Sequence, residues 1–273
     1  MLTGFKKVNV LGCGWLGFPL AKHLLKEGYE VKGSTTGQEK IRLLQQAGIK
    51  PYLIEYHPSR KTNPQDFFES DILFLNIPFR RDLADPRHYT QQIEAVIDDL
   101  KRSPIKFVIF ASSTAVYPEH LKEATEDVLF TPENERAGVL KEAEELLLNQ
   151  TVFATTVIRF GGLYAQDRPI GKFLAGKTGL KDPHKPVNLI HLDDCIAIVA
   201  LVIKKNIRAE VLNAVSDRHP SRQELYTQAA SSSKFEAPVF VRQDTQQTYK
   251  IVRNDKLKKL LRYRFIHPDP SRL

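Results

Sequence analysis

The amino-acid sequence predicts an α/β fold built on a parallel β-sheet, and three observations indicate it. Short β-rich runs alternate with stretches whose apolar residues recur at helical spacing. A cluster of glycines directly follows the first of these runs. The chain has 273 residues, of which 42% are hydrophobic and 26% charged, a composition typical of a folded globular protein with one or two domains.

The first strand, turn and helix can be placed from the residue pattern. Residues 7–11 are β-rich and predict a strand, and residues 16–25 carry leucines at helical spacing. Gly28 ends that helix, residues 29–31 resume as a strand, and the small polar run 33–36 stands where this strand ends. The pattern therefore predicts a complete βαβ unit.

The same alternation continues to residue 160. Further helices are predicted around 41–44, 93–100 and 133–149, with strands at 52–54, 71–75, 106–111 and 153–160. Because each crossover places a helix over a sheet face, this order predicts a Rossmann-type doubly wound parallel sheet. The helix at 133–149 is expected to face inward with its apolar residues and outward with its glutamates.

Beyond residue 161 the pattern loosens, with a helix from 194 to 204 and a mixed segment from 211 onwards. We therefore predict a dinucleotide-binding domain at 1–160. A smaller C-terminal substrate lobe at 161–273, partly interleaved with it, is expected to complete a cleft, since ligands of such folds bind beyond the carboxyl ends of the strands.

Composition narrows the classes of partner and compartment. Cys13 and Cys195 are far apart and form no CxxC motif, so neither a disulfide framework nor a cysteine zinc site is predicted. The formal charge of +8 favours anionic partners. No signal-peptide pattern or membrane-length apolar run is present in the sequence, and we expect a cytoplasmic protein.

The glycine cluster is a GxGxxG motif. It directly follows a predicted strand and begins a predicted helix, which is where this motif lies in dinucleotide-binding folds. Gly12 permits the tight turn, Gly14 lets the backbone approach a pyrophosphate, and Gly17 allows close helix packing. Trp15 and Leu16 lie within the same turn. The N-terminus of the helix that follows supplies N–H donors to the anionic oxygens of the pyrophosphate. The motif predicts an NAD or NADP site.

The second predicted strand does not end in an acidic residue, which would be expected to bind the adenosine ribose of NAD. Thr35 and Thr36 stand where NAD sites usually have Asp or Glu. Lys40 and Arg42 lie just downstream and are available for a 2′-phosphate, so NADP is favoured over NAD. The alternative interpretation of these two cations is a solvated helix face.

Four local sequences, in this order, are similar to the motifs of one family: the glycine turn, ASSTAVY at 111–117, VIRFGGLY at 157–164 and NLIHLDD at 188–194. Over almost its whole length the chain resembles the extended and atypical short-chain dehydrogenase/reductases, which include NAD-dependent epimerase/dehydratase-like proteins. The resemblance implies hydride transfer between a nicotinamide and a carbonyl or hydroxyl carbon.

The resemblance also implies roles for particular residues. The family's serine falls on Ser112 or Ser113, and its lysine, which holds the nicotinamide ribose, falls on Lys141. The tyrosine four positions before the lysine is absent, because position 137 is Ala. This departure places the chain in an atypical subgroup, with Tyr117 and Tyr164 as the replacement acids to consider and His191 as a third candidate. The alternative for Tyr117 is aromatic packing.

Other segments have narrower interpretations. Asn76, Ile77 and Pro78 follow a buried strand and are expected to contact the adenosine side of the dinucleotide. No metal site is predicted at His191, Asp193 and Asp194, since no cluster of further ligands accompanies them and Asp193 or Asp194 is interpreted as a helix cap.

Three further predictions concern the sheet end, the chain terminus and the assembly. Arg159 is expected to tie the end of the sheet to a neighbouring loop. The basic run 250–264 is interpreted as an amphipathic helix with a solvated basic face, and nucleic-acid binding is its alternative. A homodimer is compatible with the resemblance.

The leading functional hypothesis is an NAD(P)-dependent enzyme similar to nucleotide-sugar epimerases, dehydratases or reductases, acting on a small anionic substrate. The competing hypothesis is a non-catalytic NADP-binding sensor or regulatory protein. Ala137 favours the sensor, and Lys141 favours the enzyme.

Overall fold

A computed structural model describes residues 4–57, 60–61, 65–79, 85–232, 234–241 and 249–272. The strands are β1 Lys7–Leu11, β2 Glu30–Thr35, β3 Lys50–Leu53, β4 Tyr56–His57, β5 Arg60–Lys61, β6 Ile72–Leu75, β7 Phe107–Ser113, β8 Glu123–Ala124, β9 Ala154–Phe160, β10 Gly162–Tyr164, β11 Leu189–His191, β12 Val211–Ala214 and β13 Ile251–Val252. The α-helices are α1 Gly17–Lys26, α2 Ile41–Gln46, α3 His88–Lys101, α4 Glu135–Leu148, α5 Leu192–Lys205, α6 Arg222–Ser232 and α7 Asp255–Leu261.

Seven strands form one parallel sheet in the order β12-β9-β7-β6-β1-β2-β3. The central strand β1 pairs with β2 on one side and β6 on the other, so that Val8 lies opposite Val31 and Ile72. All four residues of β6 are buried, as expected of a parallel strand covered on both faces. The predicted Rossmann-type sheet is confirmed.

The strand order reverses between β1 and β6, and this reversal positions the candidate site. From β1 the chain proceeds outward through β2 and β3, then crosses to β6 and proceeds outward in the other direction. A crevice forms at the carboxyl ends of the strands where such a reversal occurs, and ligands of this fold bind there. Gly12 and Asn76 immediately follow the two strands concerned.

The described chain divides into two compact units. The first comprises Met1–Val116, Pro132–Arg159 and Ile198–Val211, and the second comprises Tyr117–Thr131, Phe160–Ala197 and Leu212–Leu273. The second unit has its own apolar cluster, formed by Tyr164, Ile170, Leu189, Leu225 and Ala229. It also contains two short parallel pairs, β10 with β11 and β8 with β13.

Two local predictions change in the structure. Strand β2 continues to Thr35, because Ser34 and Thr35 are buried within it. Glu144, predicted to face outward on α4 with the other glutamates, is instead 1% exposed because it pairs with a buried arginine. Among the described residues, no helix has the length and apolar character needed to cross a membrane.

Candidate functional site

The turn after β1 requires glycine at two of its three glycine positions. Gly12 has φ +105°, and a Cβ there would also overlap the main-chain carbonyl of Asn76. A Cβ at Gly17 would overlap the carbonyl of Gly12, because the first turn of α1 packs directly on the preceding turn. These two glycines hold strand, turn and helix in close contact.

Gly14 differs, because its surroundings are open. A Cβ there would meet no atom within 4 Å, and the residue is exposed. Its φ lies outside the left-handed region, so the local backbone does not itself require glycine. The neighbouring Trp15 is half-buried, whereas the Leu16 side chain is buried and leaves only its backbone to meet a ligand. The turn thus presents main chain to open space at the N-terminus of a helix.

Ser34, which lies on β2, supports the turn from below. Its Oγ accepts the Gly12 N–H at 2.9 Å, and its carbonyl accepts the Cys13 N–H at 2.7 Å. On the other side, Asn76 Nδ2 donates to the Gly12 carbonyl at 3.0 Å. Asn76 therefore shapes the turn, while Ile77 and Pro78 continue into the adjacent loop. In the sequence, Ser34 is recognisable only as part of the small polar run 33–36.

Just beyond the end of β2 the structure places a carboxylate against Gly37. The Glu39 carboxylate lies against Gly37, where a Cβ would overlap it. Thr35 is buried and its Oγ1 accepts the Gly37 N–H at 3.2 Å, whereas Thr36 is exposed. Lys40 and Arg42 are also exposed. Glu39 was not predicted from the sequence, because an acid is expected at the end of the strand and Glu39 lies four residues after Thr35.

The two serines that end β7 have different surroundings because successive strand residues point to opposite faces. Ser112 is 7% exposed, and its Oγ donates to Glu144 Oε1 at 2.5 Å. Ser113 is half-buried, and its Oγ accepts the Ala115 N–H at 3.2 Å while keeping a hydrogen that it can donate. Of the pair, Ser113 is the one suited to meet a substrate.

Glu144 also receives a two-pronged contact from Arg159 on β9. The guanidinium Nη2 donates to Oε2 at 2.6 Å, and Nε lies 3.0 Å from Oε1. Both side chains are buried. Arg159 was predicted to tie the sheet to a loop, but it joins the sheet to α4. The Ser112 hydroxyl donates to the same Glu144 carboxylate.

Lys141 lies on the more open side of α4. Its Nζ pairs with Glu145 Oε1 at 2.6 Å, one helical turn further along, and the lysine side chain is 31% exposed. Ala137, four residues earlier, is buried, and its N–H donates to the N-cap side chain of Asn134 at 3.0 Å. Helix α4 contacts the turn Thr114–Val116 that follows Ser113.

Comparison with known proteins assigns the chain to a family. No family model matches the sequence. Protein YeeZ of Escherichia coli strain K12 is 31% identical over 268 residues, which cover 97% of each chain. The chain belongs to the YeeZ family.

Solved structures similar to this YeeZ-family chain share its fold. A functionally unknown conserved protein from Silicibacter pomeroyi DSS has a TM-score of 0.78 at 21% identity, covering 97% of this chain and 95% of its own. UDP-glucuronic acid 4-epimerase from Bacillus cereus, solved with UDP-glucuronic acid and NAD, has a TM-score of 0.78 at 19% identity with the same coverage. MoeE5, solved with UDP-glucose and NAD, has a TM-score of 0.77 at 16% identity, covering 95% and 93%. The resemblance to extended short-chain dehydrogenase/reductases is confirmed in the fold.

The tyrosines considered as replacement acids are both buried in the second unit of the YeeZ-family chain. The Tyr117 hydroxyl lies 2.9 Å from Asn213 Oδ1 and 3.0 Å from the Thr125 carbonyl, and its ring is 2% exposed. Tyr164 is 1% exposed, and burial raises its pKa. For Tyr117 these contacts favour the packing interpretation over proton transfer.

The two aspartates considered as caps of α5 lie inside the helix in the structure. The helix begins at Leu192, so Asp193 and Asp194 lie inside its first turn. Asp194 is fully buried and accepts from the Tyr263 hydroxyl at 2.7 Å and from the Ile266 N–H at 2.7 Å. The capping interpretation is therefore wrong for Asp194, which anchors the C-terminal segment.

The basic run 250–264 has the predicted buried apolar side, but one of its cations, Lys250, is not solvated as predicted. Leu257 and Leu261 of α7 are buried, as an amphipathic helix requires. Lys250 precedes the helix and is only 7% exposed, because its Nζ donates to the Tyr117 carbonyl at 2.8 Å and pairs with Glu119. The predicted solvated face therefore does not include Lys250.

Proposed function

We propose that this chain binds a nicotinamide adenine dinucleotide at the turn Gly12–Gly17. The observation that carries the proposal is the open space at Gly14 beside the N-terminus of α1. A pyrophosphate needs close approach to main-chain N–H groups and to the positive end of a helix dipole, and a side chain at this position would occupy that space. The residues present therefore fit the group.

We propose NAD rather than NADP as the dinucleotide, despite the preference expected from Lys40 and Arg42. The Glu39 carboxylate near the end of β2 supports this, because a negative charge there repels a 2′-phosphate while accepting ribose hydroxyl hydrogens. The epimerase and MoeE5 structures, which contain NAD, are consistent with the same choice.

The proposed reaction is hydride transfer at a carbonyl or hydroxyl carbon of a small anionic substrate of the nucleotide-sugar class. A bound nicotinamide supplies the hydride chemistry. Ser113 is proposed to orient the reacting oxygen by donating its hydroxyl hydrogen. Lys141 is proposed to hold the ribose hydroxyls, since its ion pair with Glu145 lies at the surface and is weak enough to rearrange.

A second candidate function is a nucleotide sensor without catalysis. The observation that favours it is Ala137, which is buried at the position of the family's tyrosine and carries no transferable proton. Ser112, with its hydroxyl donated to Glu144, offers no substitute. The sensor shares the dinucleotide site and differs only in lacking turnover.

Titration with NAD, NADH, NADP and NADPH tests the binding proposal. Trp15 is the chain's single tryptophan and lies in the turn, so its fluorescence reports occupancy. We expect NAD and NADH to bind, and Gly14→Ala to weaken that binding about tenfold or more, equivalent to at least about 1.4 kcal/mol. Gly4→Ala is the control, because it also has open surroundings but lies before β1.

Equal binding by both variants would overturn the proposal, as would absence of binding by the unmodified chain. Turnover then separates enzyme from sensor. Oxidation of NADH by a panel of keto-sugar nucleotides, abolished in Ser113→Ala while binding persists, supports the enzyme. Tight binding with no hydride transfer across the panel supports the sensor.

A further inference from the structure

Two histidines and an aspartate that are distant in sequence meet in the second unit. His191 ends β11, Asp193 lies in the first turn of α5, and His267 belongs to the C-terminal segment. Asp193 Oδ2 lies 3.3 Å from His191 Nδ1 and 3.1 Å from His267 Nε2. One donor atom from each residue lies within 4.8 Å of the others.

Neighbouring contacts hold the His191 ring and the main chain of His267. The Tyr164 ring packs edge-on against His191 with centroids 5.0 Å apart, and the two imidazoles are 3.7 Å apart. The main chain of His267 is fixed at both ends, because its N–H donates to Asp194 Oδ2 at 3.0 Å and its carbonyl accepts from Ser216 Oγ at 3.1 Å. The main-chain positions are therefore fixed, but the two imidazole rings overlap more closely than two ligands of one ion can, so the more exposed His267 ring has to turn when an ion binds.

The three side chains differ in their exposure to solvent. The His191 side chain is 14% exposed, His267 34% and Asp193 56%. The imidazole farthest from solvent is thus the best packed, while the carboxylate lies at the entrance.

We propose that His191, Asp193 and His267 bind one divalent transition metal ion of the zinc type. Tetrahedral coordination with bonds of about 2.0–2.1 Å places ligand atoms about 3.3 Å apart, close to both carboxylate–imidazole separations observed. Imidazole nitrogen favours zinc-like ions over Mg²⁺ or Ca²⁺, which prefer oxygen ligands. Three protein ligands leave the fourth position for water or another ligand.

Metal binding exchanges one weak contact for a stronger one. His191 Nδ1 accepts the Asp193 N–H at 3.2 Å, and the Asp193 carboxylate, another acceptor, lies beside it. Because an imidazole nitrogen has one lone pair, an ion bound by His191 Nδ1 replaces this hydrogen bond and separates the nitrogen from the neighbouring carboxylate oxygen. Because the three ligands come from β11, α5 and the C-terminal segment, the ion joins that segment to the start of the helix.

The test uses the full chain without a polyhistidine tag, freed of metal by a chelator. Zn²⁺ is titrated in competition with a chromophoric chelator, and Co²⁺ is added separately for its visible absorption bands. We expect one ion per chain, four-coordinate Co²⁺ bands, and a higher melting temperature with Zn²⁺.

The variants Asp193→Asn and His267→Gln should each weaken Zn²⁺ binding about tenfold or more and abolish the Zn²⁺-dependent rise in melting temperature. His184→Gln is the matched control, because His184 is an exposed histidine of the same unit outside the cluster. Circular dichroism establishes that each variant is folded. If a variant fails to fold, imidazole nitrogen NMR shifts of the unmodified chain on adding Zn²⁺ identify the ligands instead.

Absence of stoichiometric binding by the unmodified chain would overturn the proposal. So would unchanged affinity in both cluster variants, or NMR shifts at histidines other than 191 and 267. These results are independent of the dinucleotide titration, because the metal proposal does not depend on the proposed reaction.

Discussion

Ser34 supports the glycine turn through two hydrogen bonds, one from Gly12 and one from Cys13. Because the Ser34 side chain is buried, Ser34→Ala leaves the Gly12 N–H without its acceptor. We expect the free energy of unfolding to fall by about 1–3 kcal/mol, measured by urea denaturation, and dinucleotide binding to weaken with it. Thr36→Ala alters an exposed hydroxyl and should leave unfolding unchanged; an equal loss in both variants would contradict this role.

Glu39 offers a second test at single-residue scale. Removing its charge with Glu39→Gln removes repulsion of a 2′-phosphate, so we expect the affinity for NADP relative to NAD to rise about tenfold, or about 1.4 kcal/mol. The same fluorescence titration measures it. Glu27→Gln, an exposed change at the far end of α1, is the control. An unaltered ratio in Glu39→Gln would show that the carboxylate does not face the ribose.

At the scale of elements, the pair Glu144–Arg159 joins α4 to β9. Glu144→Gln leaves a buried guanidinium without its counter-ion, and we expect a loss of about 3–5 kcal/mol in unfolding free energy. The neighbouring Glu145→Gln breaks only a surface pair and should change stability by less than about 1 kcal/mol. Urea denaturation of the two variants separates these values.

The double variant Glu144→Leu with Arg159→Met provides a further check on the same pair. It removes both charges and keeps apolar volume, so it should recover much of the stability lost in Glu144→Gln. If the double variant were less stable than Glu144→Gln, the loss would lie in packing rather than in an unpaired charge.

Helix α4 also contains a glycine that the structure does not require. Gly138 has no positive φ, and a Cβ there would meet nothing within 4 Å. Gly138→Ala should therefore raise the unfolding free energy by about 0.5–1 kcal/mol through a lower entropy of the unfolded chain. Gly12→Ala, which forces a Cβ into the Asn76 carbonyl, should do the opposite. Thermal denaturation checks the sign of each.

At the scale of the whole molecule, both cysteines are protected by folding. Cys13 and Cys195 are buried, and burial raises the pKa of the Cys13 thiol to about 12 and that of Cys195 well above its ordinary value. The native chain should therefore resist a thiol-specific chromogenic reagent at neutral pH, and the urea-unfolded chain should react at two sites. Rapid reaction of the native chain would contradict this burial.

The fold was predictable because its signals are local. The strand before Gly12, the helix after it and the alternation to residue 160 each follow from periodicity and turn chemistry within short windows. The close packing observed at Gly12 and Gly17 agrees with the tight turn and helix packing predicted for them, whereas the approach of a pyrophosphate to Gly14 remains a prediction. The roles of Ser113 and Lys141 in a reaction remain predictions.

Tertiary structure decided what depends on distant residues. Nothing near Glu144 in sequence indicates that Arg159 buries it, and His267 lies 74 residues from Asp193. From the sequence alone, Glu144 and His267 could each have many different neighbours. The folded chain gives each of them one set. The sequence by itself determined the alternation of strands and helices and the glycine turn after β1, since periodicity and backbone sterics act between residues close in sequence. Which charges are buried, which serine faces outward and which histidines meet were decided by packing.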